Sequence, residues 1–211
     1  FAEGSGNGSS PADGATWNTA KATIQDAVDA ASSNDTIWVS NGVYDAGGRV
    51  SNGTLTNRVV IDKPITVQSL NGAETTAICG AKDLSGTYGI FGDAAVRCVY
   101  LGSNATLSGF TITNGATAGT RPSNEMEPDK NGAGVYSEPS GTILDCILVD
   151  NSAADAGGGA YGGILRSCVL TGNSSSMGGG AFNSVLESCT LRGNASDLGG
   201  GAYGGALSLC V

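Results

Sequence analysis

One stretch of helical periodicity opens the chain, and short apolar runs separated by turn residues fill nearly all that follows. Trp17, Ala20, Ile24, Ala27, Val28 and Ala31 share one face at helical spacing, which predicts a helix over Trp17–Ala31. Ser32-Ser33-Asn34-Asp35 ends it. TIWVS (Thr36–Ser40) then reads as a strand, and VVIDKPITVQSL (Val59–Leu70) as two strands bent at Lys63-Pro64. From there short β segments alternate with Gly/Asn turns to the end.

The later segments repeat. Gly157–Asn173 is GGGAYGGILRSCVLTGN, Gly178–Asn194 is GGGAFNSVLESCTLRGN and Gly199–Cys210 is GGGAYGGALSLC. The first six residues of the earliest copy satisfy G-x-G-x-x-G, the glycine pattern of a dinucleotide loop. That pattern occurs once in such a fold, after one strand, and opens a helix. Here it recurs, loses its last glycine at Asn183, and leads into strand-like residues, so a dinucleotide loop is excluded.

A unit of about 21 residues made of short strands cannot bury its own apolar face and must stack on copies of itself. The expected fold is all-β: a right-handed parallel β-helix of about eight coils at about 21 residues each. Residues 1–15 read as a flexible lead-in, 16–35 as an N-terminal helix cap, and 36–211 as the β-helix, its last coil incomplete. Strand period places Cys168 and Leu170 on one face, so Cys146, Cys168, Cys189 and Cys210 form an inward row. Tyr136, Tyr161, Phe182 and Tyr203 form an aromatic row. Asn151, Asn173 and Asn194 suit left-handed turn geometry and hydrogen bonding between coils. The glycines turn the corners.

These repeats resemble those of right-handed parallel β-helix proteins in the pectate-lyase-like superfamily, above all the Gly-Gly-Ala/aromatic and Asn repeats of bacterial surface proteins and polymorphic outer-membrane proteins. AVDAA, NDTIWVSNGVYDAGG and IDKPITVQSLNG resemble the helix cap and first coils of that group. The resemblance covers about residues 15–211. It implies a fold and no single activity, because the superfamily holds lyases, hydrolases, esterases, adhesins and inert fibres.

Charge and composition narrow the function. Net charge −9 without histidine excludes a basic nucleic-acid surface, a Ser-His-Asp triad and histidine-ligated zinc. No apolar run approaches a membrane span. The six cysteines fit a reduced core stack better than disulfides, since the row shares the phase of leucine. The acidic loop Ala116–Gly132 offers Glu125, Glu127 and Asp129, with Asp145, Asp150 or Asp155 nearby, as oxygen ligands for calcium. Its spacing matches no EF-hand loop, the calcium-binding nonapeptide does not recur, and a solvated loop is favoured. No other cofactor is implied. Arg166 and Arg192 are not at equivalent positions, and no paired carboxylate repeats, so no catalytic motif transfers from lyases or esterases.

The expectation is therefore a non-catalytic secreted or cell-surface β-helix with a structural or adhesive role. Its partner would be a further copy stacked end to end into fibres, or a longer parent chain, because the last repeat stops in mid-coil. The alternative is a polysaccharide-binding or polysaccharide-processing module that uses Tyr136, Tyr161, Phe182 and Tyr203 as a platform for an extracellular glycan. The feature that would discriminate that alternative is carboxylates and an arginine converging in one groove, or the aromatic row facing solvent.

Overall fold

The computed structural model describes residues 1–2, 13–85, 89–119 and 128–211. Three ladders of parallel strands run side by side along one axis, and the chain visits them in a fixed order. Ladder one holds β1 (Thr36–Val39), β5 (Thr66–Ser69), β8 (Thr106–Ser108), β11 (Thr142–Leu144) and β14 (Ile164–Arg166). Ladder two holds β2 (Gly42–Tyr44), β6 (Thr76–Cys79), β9 (Thr111–Thr113), β12 (Ile147–Val149), β15 (Val169–Thr171) and β17 (Thr190–Arg192). Ladder three holds β4 (Thr56–Ile61), β7 (Val96–Leu101), β10 (Val135–Ser137) and β13 (Ala160–Tyr161). In the last two coils β16 (Ala181–Glu187) and β18 (Ala202–Ser208) run through the corner and serve ladders three and one together. A short β3 (Arg49–Val50) pairs antiparallel with β4. Parallel crossovers of this kind coil right-handedly, so the molecule is a right-handed parallel β-helix.

Thr36, Thr66, Thr106, Thr142, Ile164, Val185 and Ala206 lie in register on ladder one, so among the described residues its strands make seven rungs rather than eight. Those positions make the coils 30, 40 and 36 residues long before they settle to 22, 21 and 21. Much of the surplus falls at one corner. Between ladders two and three the chain uses residues 45–55, 80–95 and 114–134 in the early coils, against 150–159, 172–180 and 193–201 later.

The corners are not turned by glycine alone. Asp145, Ser167, Ser188 and Leu209 take φ of 50–55° just before the cysteine row, where Gly109 does the same job one coil earlier. The glycine triplets have two uses. Gly157 turns the chain at φ 65°, while a Cβ on Gly159 would lie 2.5 Å from the Gly180 carbonyl oxygen of the next coil. Side chains are excluded there because two backbones meet.

Inward residues of the three ladders fill one continuous core, with Ile61, Val67, Ile78, Leu101, Leu107, Ile112, Ile143, Leu148, Leu165, Leu170 and Leu186 fully buried. Cys146, Cys168 and Cys189 belong to it, and all six cysteines are free thiols. Burial pushes the Cys98 and Cys146 thiols up to about 12, which keeps them protonated and inert.

The N-terminal helix is shorter than its periodicity predicts. A 3-10 turn covers Trp17–Thr19, and α1 covers Ile24–Ala30. Thr23 is an N-cap instead of a helical residue: its hydroxyl accepts from the Asp26 amide at 3.0 Å and donates to the Asp26 carboxylate at 2.7 Å. The extended chain before it lets Lys21 pair with Ala2, which also bridges to Val39 and is fully buried. Of the lead-in, residues 3–12 lie outside the described residues. Ile24, Ala27 and Val28 pack on the first coil, so α1 covers that end of the core and head-to-tail stacking would have to displace it. Among the described residues no helix is long and apolar enough to cross a membrane.

A buried asparagine row closes the corner after ladder two. Nδ2 of Asn151, Asn173 and Asn194 donates to the carbonyls of Ile112, Leu148 and Leu170 at 2.8–2.9 Å. Oδ1 of the same residues accepts from the backbone amides of Gly115, Asn151 and Asn173, one coil back, at 2.9–3.1 Å. The left-handed geometry sits one residue earlier, at Asp150, Gly172 and Gly193, so these asparagines are ladder residues and not the turn residues themselves. Asn173→Ala leaves the buried Asn151 amide without its partner and takes one of two donors from the Leu148 carbonyl, which the parallel ladder also engages. A loss of about 1–3 kcal/mol for the orphaned amide is expected, read as a lower denaturant midpoint, with Asn194→Ala on the outer coil costing less.

Candidate functional site

Tyr136, Tyr161, Phe182 and Tyr203 stand in register on the outward side of ladder three, and Tyr100 extends the row by one coil. Their centroids are 6.0, 5.0, 5.3 and 5.7 Å apart and the rings lie within 10–12° of parallel. Ring faces therefore cover one another, and solvent meets mainly edges and hydroxyls. Stacking of a sugar needs an uncovered ring face, which fits the row poorly except at its ends. The Tyr100 hydroxyl donates to Glu138 at 3.0 Å, and burial together with that carboxylate pushes its pKa up to about 12.

A wall rises beside this row where the long early corners meet. Arg97 on β7 is fully buried. Its guanidinium donates to the carbonyls of Gly132 (2.9 Å), Asn131 (2.9 Å) and Pro128 and to Asn57 Oδ1 (2.7 Å), and lies 5.1 Å from the Tyr136 ring centroid. Desolvation lowers its pKa to about 10, still charged at neutral pH. Asp129 ties the same loop to the first coil. Its carboxylate accepts from the amides of Thr54 and Leu55 and from the Thr54 hydroxyl at 2.8–3.0 Å. Glu125 and Glu127 lie outside the described residues. Asp129 is thus spent on the backbone rather than offered to calcium, while Asp145 and Asp150 sit on successive corners at left-handed φ. Among the described residues no group of three or more histidine, cysteine or acidic side chains is placed to hold a metal.

A groove of about 380 Å³ opens between α1 and the first coil. One wall is α1 and the residues before it, with Thr23, Gln25, Asp26 and Asp29. The other is β2, the turn after it and β4, with Val43, Asp45, Arg49 and Arg58. Gln25 fixes the helix to β4: Oε1 accepts from the Val60 amide at 2.8 Å while Nε2 donates to Asp29 at 3.0 Å. An ion pair between Asp29 and Arg49 spans the two walls. Burial alone would raise the Asp29 carboxyl, but the Gln25 hydrogen bond and the Arg49 and Lys63 charges outweigh it and hold the pKa below the usual range. Arg58 donates through Nε to the Cys79 carbonyl at 2.8 Å and through its terminal nitrogen to Gly47. Carboxylates and arginines therefore converge in one groove.

None of these groove residues belongs to a repeat, so periodicity had no means of selecting them. Their signal is of another kind: Asp26 and Asp29 lie three apart on a short helix, and Asp45, Arg49 and Arg58 cluster around one glycine turn. Tyr100 was missed because the two long coils around it break the 21-residue spacing.

No protein-family model matches the sequence, and no curated protein sequence does. Solved structures with a similar fold include pectin methylesterase PemA from Erwinia chrysanthemi, at TM-score 0.53 and 17% identity, over 92% of this chain and 55% of that one. A second is a pectin methylesterase in complex with a hexasaccharide, at TM-score 0.51 and 19% identity with the same coverage. The chain thus spans just over half the length of these structures. At such identity the likeness is one of fold: a parallel β-helix.

The Asp129 clasp sets a pH dependence. Burial opposes ionisation, but the hydrogen bonds from Leu55 and Thr54 and the Arg97 charge hold its pKa below the usual value. A depressed folded pKa stabilises fully above the unfolded value of about 3.9 and loses that contribution as pH falls through the folded value. Amide exchange at Thr54 and Leu55 is expected to stay slow from pH 7 to 5 and to quicken below about pH 4. In Asp129→Asn it should be fast throughout, apart from the intrinsic pH dependence of exchange.

Proposed function

We propose that the chain is a polysaccharide-binding β-helix module of the extracellular or cell-surface space, with the groove between α1 and the first coil as its binding site. The convergence of Asp26, Asp29 and Asp45 with Arg49 and Arg58 in one concave site carries this reading. Its volume lies within the range usual for small-molecule sites. Planar carboxylates and guanidinium groups suit paired hydroxyls, because each offers two hydrogen bonds in one plane. Exposed Val43 supplies apolar surface beside them. The similar fold of a pectin methylesterase described with a hexasaccharide supports the reading, since that scaffold accommodates an extended oligosaccharide.

A structural or adhesive role of polymorphic outer-membrane-protein type is the second reading. The three saturated rows favour it: asparagine, cysteine and aromatic side chains are spent on neighbouring coils and stiffen the shaft. Titration calorimetry with hexasaccharides of acidic, neutral and amino type tests the two readings. Binding of at least one is expected, weakened about tenfold or more, roughly 1.4 kcal/mol, by Arg49→Ala or Asp29→Ala and little changed by Tyr161→Phe. Absence of binding across the whole panel would leave the shaft role standing and remove the groove from consideration.

A further inference from the structure

The groove also carries information about the charge of what fills it. Both of its cations are already engaged, Arg49 with Asp29 on the opposite wall and Arg58 with the carbonyls of Cys79 and Gly47. The nearby Lys63 ammonium is turned to the end of α1, where it donates to the carbonyls of Val28, Asp29 and Ala31 at 2.8–2.9 Å. Such a cation suits the negative end of a helix, and it is not offered to the groove.

The anions are less committed. Asp26 receives the Thr23 hydroxyl through Oδ2 and the carboxylate of Asp45 is exposed, both on the groove lining. Three carboxylates against two guanidinium groups leave the lining negative. The whole chain adds to this sign, with net charge −9 and no histidine to change it between pH 5 and 8. Such a field repels a polyuronate and draws a polycation towards the surface.

We propose that the sugar bound in this groove bears a free amino group, so that the ligand is a cationic amino-sugar polymer of the glucosamine type, its ammonium set between Asp26 and Asp45 and its hydroxyls against Arg49 and Asp29. This rests on the groove being a saccharide site and adds the chemical class. The ring's apolar face has Val43, 61% exposed, to lie against. Acetylation of the amine removes both its charge and two of its donors, which makes the N-acetylated polymer the sharpest comparison.

The test is calorimetric titration of the 211-residue chain with four probes: the glucosamine hexamer, the N-acetylglucosamine hexamer, hexagalacturonate and oligolysine of matched charge. The glucosamine hexamer should bind at least about tenfold more tightly than its N-acetylated form, and hexagalacturonate should be weakest. Asp26→Asn/Asp45→Asn should lose most of the affinity. The charge-matched Asp93→Asn/Asp145→Asn, away from the groove, should keep it, and Asp45→Asn alone should weaken binding without touching the α1 cap.

Equal binding of the two hexosamine hexamers, with sensitivity to Arg49→Ala, would overturn the amino-group requirement while leaving the saccharide site intact. Preference for hexagalacturonate would do the same. Oligolysine binding as tightly as the glucosamine hexamer, with both double variants equally weakened, would reduce the effect to the overall field and overturn the inference. Failure of every hexasaccharide would remove the inference and the saccharide site together.

Discussion

A coil of this protein cannot satisfy its own backbone. The ladder strands take their hydrogen bonds from neighbouring coils, so equivalent positions are forced into register about 4.8 Å apart. Any residue choice made at one corner is then repeated as a row, and the row must be compatible with its own repetition at that distance. The interior asparagines show the constraint most plainly. Where ladder two ends and the chain turns, backbone amides would be buried without partners, a cost the interior does not tolerate. One primary amide per coil, accepting from the coil behind and donating to its ladder-two carbonyl, closes that corner without water. The glycine triplet opposite follows from the same closeness, since Gly134 and Gly159 lie against the asparagine side chains themselves.

How much of this was legible depended on whether the period survived. Residues 142–211 announce their architecture because three coils in a row have nearly equal length, so rows of Cys, Leu, Asn and aromatic residues surface directly in the sequence. Residues 45–134 follow the same plan, but their corner segments of 11, 16 and 21 residues shift each row out of phase. Tyr100 therefore looks unrelated to Tyr136, although the two rings stack. Local chemistry also overrode periodicity once. Thr23 sits at a plausible helical position by hydrophobic spacing, yet with Asp26 three residues later it makes a better cap than interior residue, and α1 begins there. Composition misled on the corners too. Aspartate, serine and leucine hold left-handed geometry beside the cysteine row despite the cost to a residue with a Cβ, a use that no count of glycines reveals.

The same distinction explains where the candidate site lies. In the regular coils nearly every conspicuous side chain is committed to its copy above and below: asparagine to asparagine, ring to ring, Arg166 to Glu187 on the next coil. Regularity spends functional groups on cohesion. A binding site needs polar groups that converge from different directions onto a concave surface, and translation along an axis gives parallel rows instead. Convergence becomes available only where the repeat is broken. At the N-terminal end α1 crosses the coil, and at an early corner residues 128–132 lie against the start of ladder three, held down by Arg97 and Asp129.

Of these two irregular places, the wall at Arg97 has used up its chemistry. The guanidinium is ringed by carbonyls, the carboxylate of Asp129 is filled by amides, and among the described residues no buried side-chain polar atom is left without a partner. Its rigidity secures the start of the tyrosine row but leaves little to offer a ligand. The groove at α1 differs in kind. Gln25 and the Asp29–Arg49 pair fix its two walls relative to each other, so its shape is set before anything binds, and preorganised walls reduce the ordering cost of association. Asp26 and Asp45 nevertheless remain at the surface of the cavity. Fixed walls carrying charge that is not spent between coils are what the proposed site has and the wall at Arg97 lacks, and in this β-helix the two conditions coincide where the helix meets the first coil.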